Sequence, residues 1–277
     1  MPIRLTKEQR LASSLKVADH ISSLDESALG LLQGDLDPLR YDVDRGLDSD
    51  EVTGIVARMV PAGVRVLDVG CGAGALTRVL RLATRAEFLG IEPNAKRAER
   101  ARSYGLNVCT GYLTRELVHE IGLFDIVLLA DVLEHLPNPQ AMLLLCREAL
   151  KSGGAVIVSV PNVAHWSVRL RLLRGKFDYW SDGIMDATHL RWFTAETITS
   201  LLTSSGFTVT EYHATAGQGI SDNDGRAPLR WLSQSQRARF LRMACKRWPK
   251  LFGTQHVLRA EMHELLRSHT VGASDAQ

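Results

Sequence analysis

The chain has 277 residues, with 33 Lys and Arg against 31 Asp and Glu, 45% hydrophobic residues and 23% charged ones. That composition excludes long disorder, fibrous repeats and a disulfide scaffold, and the net charge of +2 excludes a protein basic throughout. The length suits one large α/β domain with additions, or two small domains.

In chain order, residues 7–33 are predicted as two helices, the second opening on the capping-box pattern Ser23-Leu24-Asp25-Glu26 and stopping before Gly34. Residues 34–48, rich in Asp and containing Pro38, read as a linker or flap. Val52, Ile55, Val56 and Met59 mark one apolar helix face that ends at Pro61-Ala62-Gly63. Strands and helices then alternate. The strands are predicted at 64–69, 87–91, 107–109, 124–130 and 155–160, with helices at 75–82, 95–103, 131–136 and 139–150. Thr194 is the predicted N-cap of a helix over 195–204, followed by strands at 207–215 and 255–261. Unbroken apolar strands alternating with helices imply a doubly wound α/β fold: a Rossmann-like seven-stranded sheet, mostly parallel, with an antiparallel final strand. The expected divisions are a helical N-terminal extension with linker at 1–48, a main domain at 49–264 with insertions at 162–190 and 217–253, and a tail at 265–277.

Cys71, Cys109, Cys146 and Cys245 stand far apart with no C-x-x-C pair, as in a reduced compartment. The opening MPIRLTKEQR is polar, and no apolar run approaches the roughly 18 residues of a membrane span, so a soluble cytoplasmic protein is expected.

The strongest motif is Asp68-Val69-Gly70-Cys71-Gly72-Ala73-Gly74, between the first strand and its helix. Glycines there let a ligand approach the backbone, and the following helix offers free N–H groups. The spacing is G-x-G-x-G rather than the G-x-G-x-x-G of a dinucleotide fingerprint, which disfavours an NAD-dependent dehydrogenase. Asp68 suits a cationic ligand group. Glu92, 22 residues after Gly70, suits ribose hydroxyls. S-adenosylmethionine carries both an ammonium and a ribose.

VLDVGCGAG, GIEPN, FDIVLLADVLEHLPNP and LKSGGAVIVSVPN occur in that order. With them the stretch from about Val64 to Thr215 resembles the class I S-adenosylmethionine-dependent methyltransferases. The resemblance implies that Asp68, Gly70, Gly72 and Gly74 face the methionyl end, that Glu92 holds the ribose with Asn94 beside it, and that Ala130 lines the sulfonium side. Gly111 and Tyr112 occupy the place before the adenine contact, where the family often has Gly-Asp.

Asp131, Glu134 and His135 are predicted to share one helix face beside the methyl donor, and Asp186-Ala187-Thr188-His189 supplies a later polar cluster. Two readings stand. Either Glu134 and His135 brace the following loop, or Asp131, Glu134, His135 and His189 bind one divalent cation, with donors that suit Mg, Mn, Zn or Fe. The second pattern is similar to the metal site of small-RNA terminal 2′-O-methyltransferases and of ubiquinone-pathway O-methyltransferases, with Asp131 in place of the usual Glu. The catalytic candidates are Asp131, His165 and His189, the two histidines as rival general bases. Arg169, Asp186 and Arg191 are the candidate substrate contacts. His119, His213, His256, His263 and His269 are expected at the surface.

PNVAHWSVRLRLLRGKFDYW and DATHLRWFT resemble a bacterial methyltransferase subgroup often encoded with polysaccharide or secondary-metabolite genes, which implies O-methylation of a sugar or glycan hydroxyl. A phenol or natural-product O- or N-methyltransferase is the alternative, and a non-catalytic S-adenosylmethionine-binding scaffold a further one. Residues 226–250 carry Arg226, Arg230, Arg237, Arg239, Arg242, Lys246, Arg247 and Lys250 and no acid. Such a stretch is a solvated helix face, a contact for an anionic or lipid-linked acceptor at a membrane surface, or an RNA contact, the last not expected. Assembly of identical chains is compatible with this reading.

Overall fold

The computed structural model describes Leu39, Asp42, Gly46, Leu47 and residues 50–180, 182–217 and 233–262. The predicted helices at 7–33, most of the 34–48 linker, residues 218–232 with Arg226 and Arg230, and the tail with His263 and His269 lie outside them.

Helix α1 (Val52–Met59) buries Val52, Ile55, Val56 and Met59, the face its apolar spacing predicts. Next come β1 (Arg65–Val69), α2 (Ala75–Thr84), β2 (Glu87–Glu92), α3 (Ala95–Ser103) and β3 (Asn107–Thr110). They are followed by α4 (Arg115–Ile121), β4 (Phe124–Ala130), a single 3-10 turn (Leu133–His135), α5 (Pro139–Ala149) and β5 (Leu150–Pro161). The remainder is α6 (Trp166–Leu173), α7 (Ala195–Ser204), β6 (Phe207–Thr215), α8 (Gln234–Arg247), α9 (Pro249–Phe252) and β7 (Gln255–Met262). Side-chain caps fix several helix starts. Asn94 accepts from the Arg97 amide, Asn138 from that of Ala141, and Thr194 forms a reciprocal capping box with Thr197.

The seven strands form one sheet in the order β3-β2-β1-β4-β5-β7-β6. β1 through β5 run parallel, and β7 is antiparallel to both β5 and β6. Strands β4 and β5 are apolar on both faces, with Val127, Leu128, Leu129, Val156, Ile157 and Val158 fully buried. Helices must therefore cover both sides. The chain order reverses between β1 and β4, and at that switch point a crevice opens at the carboxyl ends of the strands.

Two expectations are corrected here. The helix predicted over 131–136 is only the turn Leu133–His135, because Asp131 adopts a left-handed backbone with φ of 57°. His256, expected at the surface, is fully buried, because β7 is an interior strand; its Nδ1 meets the Tyr212 hydroxyl at 3.0 Å. His119 and His213 are exposed, as expected.

Candidate active site

The glycine loop leaves β1 and curls over the end of β2. The Gly70 and Cys71 amides donate to the Ile91 carbonyl at 2.7 and 3.2 Å, and the Gly72 amide donates to Glu92 Oε2 at 2.9 Å. Two glycines are required for different reasons. Gly70 has φ of +74°, and a Cβ there would lie 2.7 Å from Val132 Cγ2. At Gly72, with φ of +57°, a Cβ would meet nothing within 4 Å and would project into ligand space. Gly74, which caps α2, and Asn94, which caps α3, shape the walls without lining the cavity.

Two carboxylates flank this cradle. Asp68, at the end of β1, is 2% exposed and accepts from Thr77 Oγ1 at 2.5 Å. Burial pushes its carboxyl up to about 6, against the opposing Thr77 hydrogen bond and with the help of the nearby Glu92 charge. No basic side chain among the described residues pairs with it, although a buried carboxylate calls for a cation. Glu92 is also buried; besides Gly72, it accepts from the Asn94 amide through Oε1 at 2.9 Å. The Gly111 amide donates to the Glu92 carbonyl at 3.0 Å and turns the chain toward Tyr112, which is 73% exposed at the cavity rim.

From the cradle one cavity of about 920 Å³ extends past Ala130 and Val132 to Asp131, Glu134, His135 and His189. The segment carrying His189 is tied to the turn after β4, since the Leu190 and Arg191 amides both donate to the Glu134 carbonyl, at 2.8 and 3.0 Å. The Asp186 carboxylate is buried and accepts from the Thr188 amide and hydroxyl at 2.8 and 2.6 Å, which sets the turn that delivers His189.

Three side chains converge there. The ligand atoms of Glu134, His135 and His189 lie within 4.8 Å of one another, and the two imidazoles meet edge to face at 4.9 Å. His135 Nδ1 meets the Thr188 carbonyl at 3.2 Å and His189 Nδ1 meets the Ile184 carbonyl at 3.2 Å. A carbonyl only accepts, so each ring carries its proton on Nδ1 and offers a bare Nε2, as metal-binding histidines do. Glu134 is 1% exposed, and neither of its oxygens has a hydrogen-bond partner among the described residues. Burial first, then the Asp131 and Asp186 charges, push its carboxyl well above the usual range. Burial, with His135 beside it, holds His189 below the usual imidazole range. One divalent cation would satisfy all three groups.

Asp131 stands outside this trio. Its Oδ1 accepts from Ser159 Oγ at 2.9 Å and Gln255 Nε2 at 2.8 Å, and its own amide donates to the Ser159 carbonyl at 3.1 Å. These contacts draw the carboxylate toward β5 and β7 and hold the left-handed backbone, a strained state that such over-determination sustains. His165 also lines the cavity, but burial holds it at about 4, a weak base, and its Nδ1 meets Ser167 Oγ at 2.8 Å.

The other candidates lie outside the lining. Arg169 donates to the Ala164 carbonyl at 2.6 Å, and Arg191 to those of Leu190 and Pro137 at 3.0 and 2.6 Å. With Asp186 they brace backbone. Sequence reasoning missed Ser159, Gln255 and Asp42. Asp42 reaches the cavity from the 34–48 segment, bound by Arg100 Nε at 2.8 Å and Tyr104 Oη at 3.0 Å. Burial works to raise its carboxyl, yet those hydrogen bonds and the Arg100 and Arg78 charges hold it below the usual range.

A methyltransferase domain family matches residues 44–212, more than half of the chain, and the chain belongs to that family. A ubiquinone biosynthesis O-methyltransferase of Xanthomonas axonopodis pv. citri (strain 306) is 34% identical over 113 residues, 39% of this chain and 47% of that protein. The chain thus spans about half the length of the curated relatives it matches. A SAM dependent methyltransferase from Archaeoglobus fulgidus superposes with a TM-score of 0.52 at 20% identity, covering 76% of this chain and 92% of that one. The [4+2]-cyclase SpnF superposes with a TM-score of 0.51 at 18% identity, covering 80% and 83%. Both likenesses are of fold. That a protein named a cyclase shares it means the reaction must be argued from the site.

Proposed function

We propose that the chain transfers the methyl group of S-adenosylmethionine to a hydroxyl of an acceptor with two adjacent hydroxyls, a sugar diol first. The observation that carries this reading is the pairing, in one cavity, of a glycine cradle flanked by acids with a buried carboxylate that has no hydrogen-bond partner among the described residues and faces two bare imidazole nitrogens.

The cradle fits the donor on three counts. Gly72 leaves open the space a Cβ would fill, Asp68 has no cationic partner among the described residues and the donor's ammonium would supply one, and Glu92 keeps a lone pair on each oxygen for ribose hydroxyls. Ala130 and Asp131 then border the reacting end. A sulfonium methyl is already activated, so the protein's work is alignment, exclusion of water and removal of the acceptor's proton. In this reading Asp131 takes that proton, its carboxylate aimed by Ser159 and Gln255. The acceptor oxygen attacks the methyl carbon, the carbon–sulfur bond breaks, and its electron pair stays on sulfur as the neutral thioether. His165, with its depressed basicity, serves as wall.

Glu134, His135 and His189 would hold a divalent cation, Mg, Mn, Zn or Fe, and when bound it would acidify a neighbouring hydroxyl. A catechol-type phenol is the second reading. It is favoured by the apolar residues Val132, Leu136, Met142, Ile184 and Trp180 along the same cavity.

The test is transfer of labelled methyl from S-adenosylmethionine into nucleotide sugars, glycans and catechols, before and after exhaustive chelation. Labelling of a diol that chelation abolishes and added Mn restores is the expected result. Activity untouched by chelation removes the cation, and labelling of amines alone removes the hydroxyl acceptor.

A further inference from the structure

The chain's charge is unevenly placed. Residues 226–250 hold eight Lys and Arg and no acid in a chain whose net charge is only +2, so the remainder is net acidic. The described part of this stretch is α8 and the short helix after it. Leu241, Ala244 and Cys245 are buried on the inner face of α8, and Leu241 reaches the cavity wall. Positions 236, 239, 240, 243, 246 and 247 recur at three- and four-residue spacing and form the opposite stripe. There Phe240 is 41% exposed and Met243 55%, with Trp248 53% exposed just past the helix end. Arg239, Arg242, Lys246 and Arg247 surround them, and the Arg247 guanidinium lies 5.3 Å over the Trp248 ring. Lys246 reaches Asp50 only at 3.9 Å, and no acid among the described residues forms a salt bridge with Arg239, Arg242 or Arg247.

We infer that this outer stripe is a docking surface for an anionic lipid bilayer. Charge complementarity selects the occupant: basic residues seek anionic headgroups while the exposed phenylalanine, methionine and tryptophan enter the headgroup–acyl boundary. Three large apolar side chains grouped among cations fit insertion at a headgroup boundary better than a purely solvated face, and better than a phosphate backbone that engages the cations alone. Because Leu241 on the inner face of the same helix lines the cavity, docking brings that cavity wall to about one helix diameter, ~10 Å, from the lipid surface. An acceptor anchored in the membrane then reaches it without leaving the bilayer. No helix among the described residues is long and apolar enough to cross a membrane, so this contact is peripheral.

The test is flotation of the full chain with vesicles of phosphatidylcholine alone and with 30% phosphatidylglycerol, a readout that does not depend on methyl transfer. The anionic vesicles carry the protein and the neutral ones do not. Raising NaCl from 0.1 to 0.5 M releases it, because the Debye length falls below about 5 Å. Arg239→Gln with Arg247→Gln weakens binding about fivefold per charge removed, and Phe240→Ser with Met243→Ser weakens it without altering the salt dependence. The wild-type arms need no variant. Absence of flotation, or equal flotation with neutral vesicles, overturns the inference. So does tighter binding to a single-stranded RNA than to vesicles, or a dimer in solution that Phe240→Ser with Met243→Ser dissociates.

Discussion

At the scale of single residues, two buried carboxylates each call for a cationic partner. Asp68 titrates near 6 because burial disfavours its charge. Its folded value is raised above the unfolded one, so its contribution to stability is fully present below pH 4 and is lost as pH rises through about 6. The difference is about 3 kcal/mol. A ligand ammonium compensates the ionised form. The thermal shift produced by S-adenosylhomocysteine is therefore expected to grow between pH 5 and pH 8, and Asp68→Asn to flatten that dependence. A shift independent of pH in the wild type would mean that no cation approaches Asp68. Glu134 is buried with no hydrogen-bond partner among the described residues, which costs stability unless a cation is bound there. Glu134→Met is expected to raise the melting temperature of the chelated protein by a few degrees, the equivalent of roughly 1–3 kcal/mol, while abolishing the shift produced by Mn. A variant less stable than the wild type after chelation would show that Glu134 has a structural partner.

At the scale of elements, the glycine loop separates folding from binding. Gly72→Ala places a methyl in empty cavity space and costs only the left-handed backbone penalty, roughly 1–2 kcal/mol. Gly70→Ala adds a collision with Val132 and costs more. Both are expected to lose S-adenosylhomocysteine binding, but only Gly70→Ala to lose much stability in urea. Retained binding by Gly72→Ala would place the ligand elsewhere. These elements also mark how far the sequence could be read. β4, α3, α7 and β6 fall on their predicted residues because apolar runs, Asn94 and Thr194 caps and terminal glycines agree locally. The turn at Asp131 does not, since helical spacing over 131–136 is overruled by Ser159 and Gln255, 28 and 124 residues away. α4 and α6 were missed because they are short and their polarity hides the period. Charge alone could not show that Arg169 and Arg191 would bind carbonyls of their own chain.

At the scale of the whole molecule, the sheet order brings distant segments to one crevice: the cradle after β1, the turn after β4, the His189 segment and the start of β7. Thr188 and Leu190 link the His189 segment to the turn through backbone contacts that no motif spells out. The glycine cradle and the Glu134–His135–His189 trio thus lie along one cavity. The most direct check is calorimetric titration of S-adenosylhomocysteine into the wild type, Asp68→Asn and Glu92→Gln at pH 7.5. One saturable site in the wild type, weakened at least tenfold by either substitution, is the result this account predicts. No heat of binding, or the same affinity in all three proteins, would contradict it.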